Sequence, residues 1–163
     1  MPALRRNERG QVALYAVLLF PLLMLVLTLV LAVGTLEAMR TRLRAQIDMA
    51  ALTATQALDV ASLAEGGEPR LVPELAEGLA REYLARNLAA TSSMLAAPPA
   101  DIAAAAAISV SNQPGTDPVT GARNAAPTVS IRIEAPVRVP LLGVAGLGPV
   151  VTLSITGSAA ART

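Results

Sequence analysis

The chain has 163 residues and a formal net charge of +1, with 13 basic and 12 acidic side chains. Near-neutrality excludes nucleic-acid binding through a concentrated basic face. The absence of Cys and His excludes disulfides, thiol nucleophiles, imidazole bases and the usual zinc sites. Aliphatics and Ala dominate while aromatics make up only 2%. Each buried side chain therefore removes little area from water, and a small free-standing globule built this way would be marginal. A membrane or a partner surface is expected to supply part of the stability.

In chain order, Met1 to Gly10 form a polar leader carrying Arg5, Arg6 and Arg9. Gln11 to Leu36 carries no charge. At ~1.5 Å per residue this run exceeds the roughly 30 Å of bilayer hydrocarbon, and it is apolar all round, which predicts a transmembrane helix. Pro21 inside it frees the carbonyl of Val17 and predicts a kink. Beyond the run, Leu36, Leu43, Ile47, Ala50, Ala54, Ala57 and Ala61 recur at helical spacing opposite Arg40, Arg42, Arg44, Gln46 and Gln56. One continuous helix from Gln11 to about Leu63 is expected, stopped by Gly66-Gly67 and Pro69.

A second amphipathic helix is expected over Val72 to Leu88, with Pro73 acceptable in its first turn. Leu75, Leu79 and Tyr83 form one apolar stripe, and Ala76, Ala80, Leu84 and Leu88 lie beside it. Glu74, Glu77 and Glu82 read as a solvated face, not a carboxylate cluster. Ala89 to Ala107 is helical or linking, broken at Pro98-Pro99. Ile108 to Ser111 reads as a short strand and Asn112 to Pro127 as a loop. In that loop Asn112, Thr116 and Asp117 are better explained by turn chemistry than by a cation.

Thr128 to Val139 alternates as a strand, with Val129, Ile131, Ile133, Val137 and Val139 on one face and a break at Pro136. Val150 to Ser158 alternates likewise. The connection between them is apolar. Its Gly143, Gly146 and Gly148 lack the order and flanking residues of a phosphate loop. Leu141, Leu142, Val144 and Leu147 at this hairpin tip meet a second subunit, a lipid surface, or the body of the domain itself.

The expected class is α+β. A long N-terminal transmembrane helix continues outside the membrane, followed by a second amphipathic helix and an antiparallel sheet of about three strands. The divisions are a leader over 1–10, a transmembrane helix over 11–36 and an extracytoplasmic region over 37–163 ending in a β-hairpin.

The stretch Arg9-Gly10-Gln11-Val12-Ala13-Leu14-Tyr15 through Phe20-Pro21-Leu22-Leu23 resembles the N-terminus of TadE/TadG-like pseudopilins (minor pilins) of tight-adherence (Flp) pilus systems. So does Arg42-Leu43-Arg44-Ala45-Gln46-Ile47-Asp48-Met49-Ala50-Ala51. The resemblance covers about the first sixty residues well and the rest loosely, the apolar hairpin included. It implies a precursor cut by a prepilin peptidase after Gly10, leaving Gln11 as the new N-terminus. It also implies other pilins or pilus-assembly proteins as partners, and a place in the bacterial inner membrane with the C-terminal region outside, or in a pilus at the cell surface. Such pilins carry Glu at the fifth mature position, where this chain has Tyr15. The adhesion-type C-terminal domain of the larger members is also missing.

Three functions are weighed. The first is a structural minor pilin acting in pilus assembly or adhesion. The second is a permanently anchored assembly or secretion factor that never enters a filament. The third is a secreted protein cut at Ala32-Val33-Gly34 to begin at Thr35. No enzymatic activity, cofactor, metal, nucleic acid or small-molecule substrate is expected.

Overall fold

The computed structural model describes residues 8–64, 66–144 and 146–161, with backbone alone for 8–14, 62 and 144. Most of the leader, 1–7, lies outside the described residues. Helix α1 runs from Glu8 to Ala54, unbroken through Pro21. Then come α2 (Val60–Ala64), α3 (Pro73–Ala89), a single 3-10 turn (Ser92–Met94) and α4 (Pro99–Ala104). The rest is β1 (Ala107–Ser111), the minimal hairpin β2 (Gly115–Thr116) and β3 (Arg123–Asn124), then β4 (Thr128–Arg138), α5 (Pro140–Val144) and β5 (Val150–Ala160). The class is α+β, with a small antiparallel sheet ordered β1-β4-β5.

The upper half of α1 packs on α3 and on β5. Leu43, Ile47, Ala50, Ala51 and Ala54 are fully buried. Helix α3 returns antiparallel along α1: Val72 N donates to the Ala57 carbonyl at 2.8 Å, and Asn87 Nδ2 donates to the Gln46 carbonyl at 3.2 Å. This register sets Ala76 and Ala80 of α3 alongside Ala50, Ala51 and Ala54, all at 0% exposure. With only methyl groups between them the helix axes approach closely, which maximises dispersion contact for small side chains.

One expectation about these helices is corrected. The first helix does not reach Leu63. After Ala54 the bonds shorten to i→i+3 steps, with Thr55 N on Leu52 and Gln56 N on Thr53, while the Thr55 hydroxyl bonds to the Leu52 carbonyl at 2.7 Å. These local bonds replace the helical ladder. Leu58 then pairs as a β-bridge with Leu71, and Asp59 Oδ1 receives the Ala61 amide at 3.1 Å as α2 begins. Ala61 is consequently exposed instead of continuing the buried stripe. On α3, the Ala76-Ala80-Leu84-Leu88 stripe takes the core position, and Leu75 stays 52% exposed. The small-residue face wins because it matches the small-residue face of α1.

In β4 and the residue that follows it, Val129, Ile131, Ile133, Ala135, Val137 and Val139 all point into the core, none more than 2% exposed. The expected break at Pro136 does not occur. Pro136 pairs in register with Thr152, and its carbonyl accepts from Ala96 N at 2.7 Å on the opposite edge. In an antiparallel strand a residue's N–H and C=O point the same way. The donor that Pro136 lacks is therefore on the edge beyond the end of β1, where only the isolated Leu95–Val137 bridge and the Ala96 amide meet the strand. The other sheet face carries exposed Arg132, Glu134 and Arg138.

Candidate functional site

Two regions hold the features singled out in the sequence: the bare lower half of α1 and the connection between β4 and β5. From Tyr15 to Val33 the side chains of α1 stand mostly in the open, among them Val17 at 70% exposure and Val30 at 61%. This helix is long and apolar enough to cross a membrane. Thr28 and Thr35 each return their hydroxyl to the carbonyl four residues back, at 2.8 Å, so neither leaves a polar hydrogen unpaired. Gly10 and Gln11 lie in the first turns of α1, where the backbone alone is described.

The apolar connection between the long strands is a helical turn with its own cap. Pro140 opens α5, where a missing amide costs nothing. Gly146 closes it in the left-handed conformation at φ +77°. Its amide donates to Gly143 at 3.1 Å, and the Leu147 amide donates to Leu142 at 2.9 Å. These are the two bonds of a Schellman motif, which is why glycine is placed there. The Val139 amide closes the ladder below, on the Pro149 carbonyl at 2.7 Å.

The four tip residues part company. Leu142 is buried in the core and Leu141 is partly buried against it, while Leu147 is 55% exposed. Of Val144 the backbone alone is described. Helix α5 packs on α1, and Ala32 is 0% exposed although it lies within the apolar run. By contrast Ala16 and Ala38, on the same helix, are exposed.

The loop from 112 to 127 resolves into turn chemistry. Asp117 Oδ1 accepts from Val119 N at 2.8 Å, Thr120 N at 2.7 Å and the Thr120 hydroxyl at 3.1 Å. Burial pushes its carboxyl pKa up, but the Thr120 and Val119 amides and the Ser130 and Thr120 hydroxyls outweigh that and bring it below 3.8. Asp117 Oδ2 and Ser130 Oγ are both buried without a partner at full hydrogen-bond geometry. The Arg132 guanidinium donates to the Val119 carbonyl and ties the turn to the sheet. Asn112 is engaged by the backbone of Leu71 through both of its amide atoms. Glu77 and Glu82 form exposed ion pairs with Arg81 and Arg86 at 2.6 and 3.0 Å. Among the described residues no group of three or more acidic side chains is placed to hold a metal ion.

Sequence reasoning missed one contact residue of the head, away from both regions. Arg81 Nη1 reaches the Ala104 carbonyl at 2.7 Å and so closes the C-terminal end of α4 from α3. Its only sequence signal was its place on the polar side of α3.

No family profile matches the chain, and neither a curated protein nor a solved structure does.

Proposed function

We propose that this chain is a single-pass membrane subunit of the pseudopilin kind, acting structurally in assembly or adhesion of a Tad/Flp-type pilus and not as an enzyme. One observation carries the reading. A single helix is apolar and mostly bare from Tyr15 to Leu31, yet above Met39 it forms the spine of an α+β head. The lower half has no use in water and requires lipid or the apolar helices of other subunits. The upper half fixes the head rigidly to whatever holds the lower half. On this reading the leader is cytoplasmic, the head lies outside the inner membrane, and a prepilin peptidase cuts between Gly10 and Gln11. A glycine at that point lets the peptidase draw the backbone close.

A second reading is favoured by Tyr15. Where similar pilins place a Glu to meet a neighbour's terminal amine, this helix presents a phenol that is 61% exposed. Without that charge pair a filament register loses one of its fixings, and a permanently anchored assembly or secretion factor results.

The mass of the mature N-terminus in the native host separates the readings. A chain beginning at Gln11 supports the processed pilin, and one beginning at Met1 supports the permanent anchor. Thr35 as first residue would mean a secreted protein and would sink both. A bulky residue in place of Gly10 is expected to leave the leader attached.

A further inference from the structure

The position of the β4–β5 corner along α1 follows from two rises. Gly157 of β5 lies against Ile47 and Asp48 of α1. Farther up, Ser158 to Ala161 lie beside Leu52, Thr55 and Gln56, so strand and helix run in the same direction. Going back from Gly157 to Val150 covers seven residues, or ~23 Å at ~3.3 Å per residue. Along α1 at ~1.5 Å per residue that distance is ~15 residues. It ends at Ala32, the one covered alanine among the described side chains of the apolar run. Helix α5 lies farther along still, beyond Val150, and it packs on α1. Glu37, the first charged residue after the run, is then ~7 Å above Ala32.

The corner is thus level with a part of α1 that, on the reading proposed above, lies within the outer leaflet. Its chemistry fits that depth. No charged residue occurs from Val139 through Ala161. Leu147, in the short link from α5 to β5, is 55% exposed and Val150, at the start of β5, is 47% exposed; both α5 and β5 pack on α1. The amides of Leu142, Gly146 and Leu147 all donate to carbonyls within the corner, as backbone entering lipid requires. Arg138 pairs in register with Val150 and is exposed, a position from which its guanidinium reaches headgroup phosphates.

We propose that the β4–β5 corner is a second membrane contact, seated through Leu147 and Val150 at the headgroup–acyl boundary of the outer leaflet. The occupant of the patch is lipid, because the corner packs on α1 at the level of its apolar run, so the bilayer that surrounds the helix there also meets the corner. The head is then held to the bilayer at two points and cannot swing about α1. This proposal rests on α1 spanning the membrane.

The chain contains no Trp, so single tryptophans report without background. The full chain carrying L22W, L147W or Q113W is reconstituted in phosphatidylcholine–phosphatidylglycerol vesicles. Quenching by lipids carrying a nitroxide, placed near the headgroup in one set of vesicles and deep on the acyl chain in another, is compared with quenching by aqueous acrylamide. Gln113 is exposed in the 112–127 loop and serves as the water reference. L147W is expected to emit to the blue of Q113W, to lose most of its emission to the lipid quencher and to resist acrylamide. If L147W behaves like Q113W while L22W is quenched by lipid, the second contact is wrong and the anchor stands. If L22W also escapes the lipid quencher, the anchor fails and the proposal with it. If L147W is shielded from both quenchers, a second protein copy covers the corner and the lipid seat is overturned.

Discussion

Gly157 and Ile47 touch backbone to side chain: a Cβ on Gly157 would sit 2.8 Å from Ile47 Cγ2 and would collide with the Asp48 carboxylate. The sheet therefore approaches α1 most closely where β5 carries no side chain. Ile47 is β-branched and stiff in a helix, so it cannot swing aside. Gly157→Ala is expected to destabilise the head by about 1–3 kcal/mol through overpacking. Its backbone is not in the left-handed region, so the effect reads packing alone. Thermal unfolding of the detergent-solubilised chain checks this; an unchanged Tm would show that the helix and sheet part without cost.

Asn112 acts as one rung of a ladder. Its Oδ1 accepts from Leu71 N at 2.7 Å, and its Nδ2 donates to the Leu71 carbonyl at 2.9 Å. Leu71 is 2% exposed, so Asn112→Ala leaves both of its backbone groups unpaired, at a cost of about 2 kcal/mol. Asn112→Asp keeps the acceptor but sets two oxygens against each other. Its stability is expected to recover toward wild type as acid restores a donor on the carboxyl. Denaturant titrations at neutral and acidic pH distinguish the two variants.

The depressed pKa of Asp117 has a definite sign in stability. The folded state holds the carboxylate charged below 3.8, the ordinary value at which the unfolded chain takes up its proton. Between the folded pKa and 3.8 the unfolded chain binds more protons, so stability falls as pH falls through that window and is fully present above it. Asp117→Asn is expected to flatten this part of the stability–pH curve. A loss below pH 3.8 of equal size in Asp117→Asn would assign it to other carboxylates.

Leu142 and Leu147 share one turn but face different surroundings. Leu142→Ser empties a core position and is expected to cost about 3 kcal/mol. Leu147→Ser, at a site that is 55% exposed, is expected to change the stability of the detergent-solubilised chain by no more than about 0.5 kcal/mol. Equal losses from both would mean that the whole tip is core.

The sequence by itself determined the elements that depend on neighbours along the chain. The uncharged run from Gln11 to Leu36 marked a helix long enough to cross a bilayer, because length and uniform apolarity are local properties. The Leu43-Ile47-Ala50-Ala54 stripe and the alternation of Val129, Ile131 and Ile133 marked their core faces for the same reason. Pro73 in the first turn of α3 is likewise a local signal, whereas the helical turn α5 that Gly146 caps was not foreseen where an apolar hairpin tip was expected.

What only the tertiary structure decided are choices between faces and partners of similar local quality. Leu75 and Leu79 are larger than Ala76 and Ala80, yet the alanines are buried, because the alanine face of α1 admits only small side chains at that spacing. The helix ends at Ala54 instead of Leu63 because Leu58 finds its β partner in Leu71, a residue whose position no local propensity encodes. Pro136 stays in the central strand because on the edge it faces β1 has ended, and the Leu95-Ala96 segment that meets it there uses its carbonyl. The depth of the β4–β5 corner along α1 was beyond the sequence for the same physical reason. It is set by a glycine on β5 meeting an isoleucine more than a hundred residues earlier, a long-range contact whose register exists only once helix and sheet have packed.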